Sequence, residues 1–145
     1  EVLQKMPEGE VCAVVMLDLD YFKSVNDTFG HDAGDKYLQG FSDVMKSMSE
    51  KHFLTARRSG DEFCMIIYNC GSREDIIGFL DGFYEVLGKT YVKLSSTESR
   101  TISASAGFAW TADSSMNITT LLNNADEALY EMKRNAKGSY EEYKG

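Results

Sequence analysis

The sequence predicts an α+β domain in which a mixed, largely antiparallel β-sheet is covered by helices. Three observations carry that prediction. Val11-Cys12-Ala13-Val14-Val15-Met16-Leu17-Asp18 is an unbroken run rich in β-branched residues, of the kind that fills a buried central strand. Three later segments repeat apolar residues at the spacing of a helix that lays one face on a core. Between them stand shorter runs, parted by a few polar residues, that read as antiparallel hairpins. At 145 residues and 43% hydrophobic content the chain makes one domain, with a core of its own and no room for a second.

The first strand ends in carboxylates, Asp18 and Asp20. Over 35–48, Leu38, Phe41, Met45 and Met48 recur at helical spacing behind Gly34 and mark the first core helix. Phe53-Leu54-Thr55-Ala56-Arg57 and Phe63-Cys64-Met65-Ile66-Ile67-Tyr68 form a predicted hairpin, with Asp61 and Glu62 at its tip beside Gly60. Ser72-x-x-Asp75 is a capping box. It starts a second helix whose apolar stripe is Ile76, Ile77, Leu80, Phe83 and Leu87, with Gly88 at the stop. Ile102, Ala104, Ala106, Phe108 and Trp110 alternate with small or polar residues and predict a strand over 101–110, paired in a second hairpin with 91–94. Ile118, Leu121, Leu122, Ala125, Leu129, Met132 and Ala136 mark a last helix ending near Gly138, and 140–143 add an edge strand. The order β-α-β-β-α-β-β-α is that of a ferredoxin-like, palm-type core.

Composition narrows the function. A formal net charge of −8 argues against a surface that grips nucleic-acid backbone, so a polyphosphate ligand needs a bridging cation. No apolar run is long enough to cross a bilayer, and the start, Glu1-Val2-Leu3-Gln4-Lys5, lacks the basic-then-apolar order of a signal peptide. A cytoplasmic domain without direct membrane contact is expected. Cys12, Cys64 and Cys70 show no metal-ligand spacing and suit a reducing compartment as small hydrophobes.

The chemistry concentrates in two acidic clusters. Asp18-Leu19-Asp20 lies where a buried strand emerges, and Asp61-Glu62 lies on a hairpin tip. If the hairpin neighbours the first strand, Asp18 and Asp61 can share a hard cation through oxygen ligands and leave positions for phosphates and water. The competing reading is that such carboxylates cap helices and hydrate turns.

The run Asp18-Leu19-Asp20-Tyr21-Phe22-Lys23-Ser24-Val25-Asn26-Asp27-Thr28-Phe29-Gly30-His31-Asp32-Ala33-Gly34-Asp35 resembles the opening block of the GGDEF family of diguanylate cyclases. The name-giving motif follows as Arg57-Arg58-Ser59-Gly60-Asp61-Glu62-Phe63, an SGDEF variant. Ser103-Ala104-Ser105-Ala106-Gly107 and Ala125-Asp126-Glu127-Ala128-Leu129-Tyr130-Glu131-Met132-Lys133 echo the late strand and last helix. The resemblance covers nearly the whole chain and implies a nucleotide cyclase-like fold and conversion of two GTP into cyclic di-GMP by a two-fold homodimer.

Position by position, the resemblance implies that Asp18, the Leu19 carbonyl and Asp61 hold Mg²⁺ (or Mn²⁺). Asp61 or Glu62 would deprotonate the ribose 3′-hydroxyl, and which of the two acts is left open. Asn26, His31 and Asp35 would form the guanine pocket: a carboxylate accepts from guanine N1–H and the exocyclic amine, and an amide both donates and accepts. Against this stands the plain reading of Asn26-Asp27 as an Asx turn and of Asp35 as a helix cap. Lys23, Lys133 and Lys137 match positions near the phosphates. Lys133 and Lys137 are one helical turn apart and would share a face, although helical lysines also serve as solvated surface.

The sequence departs from the family pattern in five places. Ser59 replaces the first motif glycine, which is tolerable if that position keeps negative φ. Lys137 stands where Arg is usual, a point charge in place of a bidentate fork. Arg58 replaces an aromatic or aliphatic residue. Glu50-Lys51-His52-Phe53 occupies the place of the Arg-x-x-Asp product-inhibition site, so feedback there is not expected. The block that usually precedes the first strand is missing, which implies a fragment lacking the start of the family domain and any upstream sensor or dimerisation module. In the full-length protein such a module can be membrane-anchored. The alternative to turnover is a degenerate domain that binds GTP as a regulatory module.

Overall fold

The computed structural model describes residues 9–48, 53–135 and 137–145. Along the chain come β1 (Val11–Leu19), α1 (Phe22–Phe29), α2 (His31–Ser47), β2 (Phe53–Ser59), β3 (Glu62–Cys70), α3 (Arg73–Lys89), β4 (Tyr91–Lys93), β5 (Ser99–Thr101), β6 (Ala104–Thr111), α4 (Ile118–Asn135) and β7 (Tyr140–Glu142). The main sheet has the order β2-β3-β1-β6-β7, antiparallel except for the parallel β6–β7 pair. β1 is its middle strand and is buried along its whole length, as an unbroken apolar run requires.

Because side chains alternate across a strand, β1 feeds two cores. Ala13, Val15, Leu17 and Leu19 face α2 and α3, where Tyr37, Phe41, Leu80 and Phe83 are fully buried. Phe41 is the hub there, with ring centroids 4.9 Å from Phe63 and 5.8 Å from Phe83. Cys12, Val14 and Met16 face the opposite side, under Leu121, Ala125 and Leu129 of α4. Gly107 of β6 sets the height of that helix. A Cβ at Gly107 would run into α4 backbone atoms at Leu129, Ala125 and Ala128, so only glycine lets α4 lie this close to the sheet.

Most predicted elements are present. One half of the capping box of α3 forms, the Asp75 amide donating to Ser72 Oγ at 3.3 Å, while Asp75 Oδ2 reaches back one residue further to accept from the Gly71 amide at 3.0 Å. α3 continues one residue past Gly88 and is capped at Thr90. The three cysteines are free thiols, and burial pushes the Cys12 thiol up to about 11.

Three expectations are corrected. The first core helix begins at His31 and is preceded by α1, which the sequence reading left without a helix. The strand expected over 101–110 is interrupted at Ile102 and Ser103. The Ser103 amide donates to Tyr37 Oη at 2.9 Å and its carbonyl accepts from the Asp20 amide at 2.8 Å, so the backbone there serves the end of β1. In consequence 91–94 does not pair with the long strand. β4 pairs with β5 in a separate two-stranded sheet that rests on α2 at Gly40, where a Cβ would meet Val92 Cγ2 at 2.8 Å and Ile102 Cδ1 at 3.0 Å. Ala136 and the Glu50-Lys51-His52 segment lie outside the described residues.

Candidate active site

The site is built where β1 emerges from the sheet. Its last even-numbered residue, Asp18, points to the α4 side and pairs in register with Glu62 of β3 and Ser105 of β6. The hairpin tip is tied to the same place: the Leu19 amide donates to the Asp61 carbonyl at 3.0 Å. Gly60 takes a φ of 36°, and the Arg57 Nε donates to its carbonyl at 2.9 Å, closing the turn. Ser59 is the last extended residue of β2, so the left-handed conformation falls on Gly60 alone and serine is tolerated.

Asp18 is 7% exposed. One of its oxygens, Oδ2, forms an ion pair with the Lys133 ammonium from the last turn of α4, brought over the strand end by the close approach at Gly107. The other, Oδ1, is buried without a hydrogen-bond partner among the described residues. Asp61 lies beside it, half-buried, its carboxyl raised above the ordinary range by burial first and by the Asp18 carboxylate second. The two carboxyls are within hydrogen-bonding reach, but when both are ionised neither has a proton to give. A shared proton or a hard cation satisfies both, and an orphaned buried carboxylate oxygen fits the second. Among the described residues no group of three or more His, Cys, Asp or Glu side chains is placed to hold a metal ion. Any ion here would therefore rest on two carboxylates, main-chain oxygen and groups from its substrate.

Asp20, the second carboxylate of the strand end, is differently placed. It is 4% exposed, and its two oxygens accept from Ser103 Oγ and Ser105 Oγ, each at 2.7 Å. Ser105 Oγ in turn accepts from the Gly138 amide at 3.2 Å, which ties the chain after α4 to the sheet. Both serines belong to the late-strand segment that resembles the family, but the sequence assigns them no role, since they lie more than eighty positions from Asp20 and look like ordinary strand residues.

The cavity at this corner has a volume of about 360 Å³ and is lined by Asp18, Leu19, Asp20, Tyr21, Phe22, Lys23, Ser24, Asp61, Lys133 and Lys137. Of the three lysines expected near phosphate, Lys133 is on Asp18. Lys23 is exposed and pairs with Asp27 at 2.9 Å, one turn along α1. Lys137 does not share a helix face with Lys133, because α4 ends at Asn135; its ammonium instead lies 5.5 Å from the centroid of the Tyr21 ring.

The guanine-pocket candidates meet at the seam of α1 and α2. Asn26 lies inside α1, which excludes an Asx turn, and its side-chain amide lies where a Cβ on Gly34 would be. Gly34 is thus the recess that accepts Asn26. Asp35 is the next residue, exposed on α2, and does not cap the helix, whose N-cap is Gly30. His31 is exposed at the first position of α2. Arg58 reaches Asp126 of α4 at 3.5 Å, a partly exposed bridge across the sheet edge.

This α+β sheet with paired carboxylates at its central strand end is the architecture of a nucleotide cyclase domain. The chain matches the diguanylate cyclase GGDEF domain over residues 1–139 and belongs to that family. It is 32% identical over 130 residues to the diguanylate cyclase TpbB of Pseudomonas aeruginosa, covering 90% of this chain and 30% of that one. It is 29% identical over 132 residues to the response regulator PleD of Caulobacter vibrioides, covering 90% of this chain and 29% of that one. Among solved structures, the GGDEF domain of DgcB from Caulobacter crescentus in complex with c-di-GMP superposes with a TM-score of 0.83 at 27% identity, covering 94% and 80% of the two chains. The chain thus spans less than a third of the length of TpbB and PleD. No helix among the described residues is long and apolar enough to cross a membrane.

Proposed function

We propose that the domain is an active diguanylate cyclase that joins two GTP molecules into cyclic di-GMP and releases two pyrophosphates, as a two-fold pair of domains. The observation that carries this reading is Asp18 Oδ1, a buried carboxylate oxygen without a partner among the described residues, set beside Asp61 in a cavity that also holds Lys133 and Lys137. Family membership and the likeness to a domain solved with c-di-GMP support it.

Asp18, Asp61 and the Leu19 carbonyl are the groups that would hold Mg²⁺ or Mn²⁺. When bound, such an ion neutralises triphosphate charge and withdraws electrons from the α-phosphorus. Asn26 and Asp35 bind the guanine edge from the α1–α2 seam, with His31 bordering it, and the Asp35 carboxylate favours guanine over adenine by accepting from two donors. Lys133 and Lys137 take phosphate charge, with Lys23 at the rim. Asp61 accepts the proton of the ribose 3′-hydroxyl, with Glu62 as the alternative acceptor. The freed 3′-oxygen bonds to the α-phosphorus of the GTP on the facing domain, and the bond from that phosphorus to pyrophosphate breaks. The same exchange in the opposite sense closes the ring. Two-fold symmetry supplies both alignments at once, and holding the reactants together lowers the barrier. The domain works in the cytoplasm under an upstream sensor or dimerisation module, for which its share of TpbB and PleD leaves ample length in those relatives.

The test is incubation with GTP and Mg²⁺ at high protein concentration, in a form whose dimerisation is forced by a fused coiled coil, with cyclic di-GMP read by chromatography. Product is expected. Tight GTP binding by calorimetry with no product in the forced dimer would replace this reading with that of a GTP-binding regulatory domain.

A further inference from the structure

Tyr21 is the only non-glycine residue among those described that has a positive φ, at 66° with ψ 13°. Glycine or asparagine takes this left-handed conformation with less strain than a bulky residue. Burial does not explain the choice, because Tyr21 is 55% exposed. What the ring does hold is the Lys137 ammonium, at 5.5 Å from its centroid, within the range of a cation–π contact. Both residues line the cavity that contains Asp18, Asp61 and Lys133. Lys137 needs such a support. It lies beyond the end of α4, so no helix aims it, and among the described residues its contact is with a ring and not with a carboxylate. Lys133, by contrast, is aimed by α4 and held in place by its ion pair with Asp18.

We propose that Tyr21 is a positioning residue for phosphate: its left-handed backbone turns the ring under Lys137 and holds that ammonium at the cavity mouth, ready for the phosphates of a nucleotide. A cation on a neutral π face keeps its full charge and the N–H donors that do not face the ring, whereas one clamped by a carboxylate has its charge neutralised. Strain at the strand exit is tolerable because the flanking backbone is fixed, by the Asp20 amide on Ser103 and by the Val25 amide on the Tyr21 carbonyl. This role rests on the reading of the cavity as a GTP site.

Tyr21→Asn separates the two features, since asparagine accepts the left-handed backbone without supplying a ring. In the protein without nucleotide, the Lys137 ε-methylene protons are expected upfield in NMR spectra of the wild type and of Tyr21→Phe, and at the random-coil position in Tyr21→Asn. In calorimetry with Mg²⁺, Tyr21→Asn is expected to bind GTP about two- to five-fold more weakly, the range of an exposed cation–π contact. Guanosine should bind both proteins alike, Tyr21→Phe should recover the GTP affinity, and Tyr21→Asn should cost nothing further in a Lys137→Ala background. Equal GTP binding by wild type and Tyr21→Asn would overturn the proposal, as would an equal loss for guanosine and GTP. If the wild type binds no GTP, the functional reading falls, and inorganic triphosphate titrated into the same variants still decides the role of Tyr21 through the same differences.

Discussion

Asp18 lies at the end of β1 and Asp20 just past it, two residues apart and almost equally buried, yet their surroundings differ in kind. Asp20 has a hydroxyl for each oxygen, and those hydroxyls belong to a network that reaches Tyr37 and Gly138. Asp18 has an ammonium on one oxygen, no donor on the other among the described residues, and a second carboxyl beside it. A buried carboxylate is costly unless it is satisfied. The fold satisfies Asp20 completely and leaves Asp18 incomplete. The contrast separates a carboxylate that holds the corner together from one that is left open beside a second carboxyl.

Substitutions sharpen that contrast. Asp61→Asn carries the largest expected effect: cyclic di-GMP formation should fall roughly 100- to 10,000-fold, the contribution of a positioned proton acceptor. Its melting temperature should hold or rise, since a like-charge pair is relieved. Asp20→Ala should do the reverse of a catalytic change and cost stability first. It leaves the hydroxyls of Ser103 and Ser105 without their acceptor, and denaturant titration should show a loss of about 3 kcal/mol. If Asp20→Ala proved as stable as the wild type while losing activity, the division of labour between the two aspartates would be wrong.

Gly107→Ala tests how the corner is assembled. The added methyl meets the α4 backbone, a loss of about 1–3 kcal/mol is expected from overpacking, and GTP affinity should fall with it because Lys133 rides on the displaced helix. The smallest effect belongs to the far edge of the sheet, where Glu142 of β7 is fully engaged. It accepts from Arg73 Nη2 at 2.6 Å and Nε at 2.9 Å, and from Trp110 Nε1 at 2.9 Å. Those donors, Arg73 foremost, hold the Glu142 carboxyl below its ordinary 4.5. A depressed carboxylate stabilises the fold above the unfolded value and ceases to do so as pH falls through the folded value. Denaturation midpoints of wild type and Glu142→Gln should therefore differ above about pH 4.5 and converge below it.

Much of this was legible in the sequence, and the exceptions have physical reasons. β1 showed as an unbroken run, α3 as a capping box followed by a stripe, and α4 as seven spaced apolar residues. The pairing of Asp18 with the hairpin required only that β3 lie beside β1, and it does. α1 was missed because its apolar stripe is short: Phe22, Val25 and Phe29 over eight residues, of which only Val25 is fully buried while the two phenylalanines are half-buried against the core. The break at Ile102-Ser103 was missed for the opposite reason. Ile102 is buried in phase with Ala104, Ala106 and Phe108, so the alternation continues across a point where the backbone changes sheets. The Asp20 clamp and the contact of Tyr21 with Lys137 join residues over eighty positions apart, and no periodicity links such pairs.

The claim that Asp18 is the incomplete partner is tested most directly by titrating Mn²⁺ in the presence of GTP and following the free-ion signal by electron paramagnetic resonance. The measurement needs wild type, Asp18→Asn and Asp20→Asn. Binding by wild type is expected, with near-complete loss in Asp18→Asn and retained binding by whatever fraction of Asp20→Asn is folded. Equal binding by Asp18→Asn and wild type, or a loss as complete in folded Asp20→Asn, would contradict the claim.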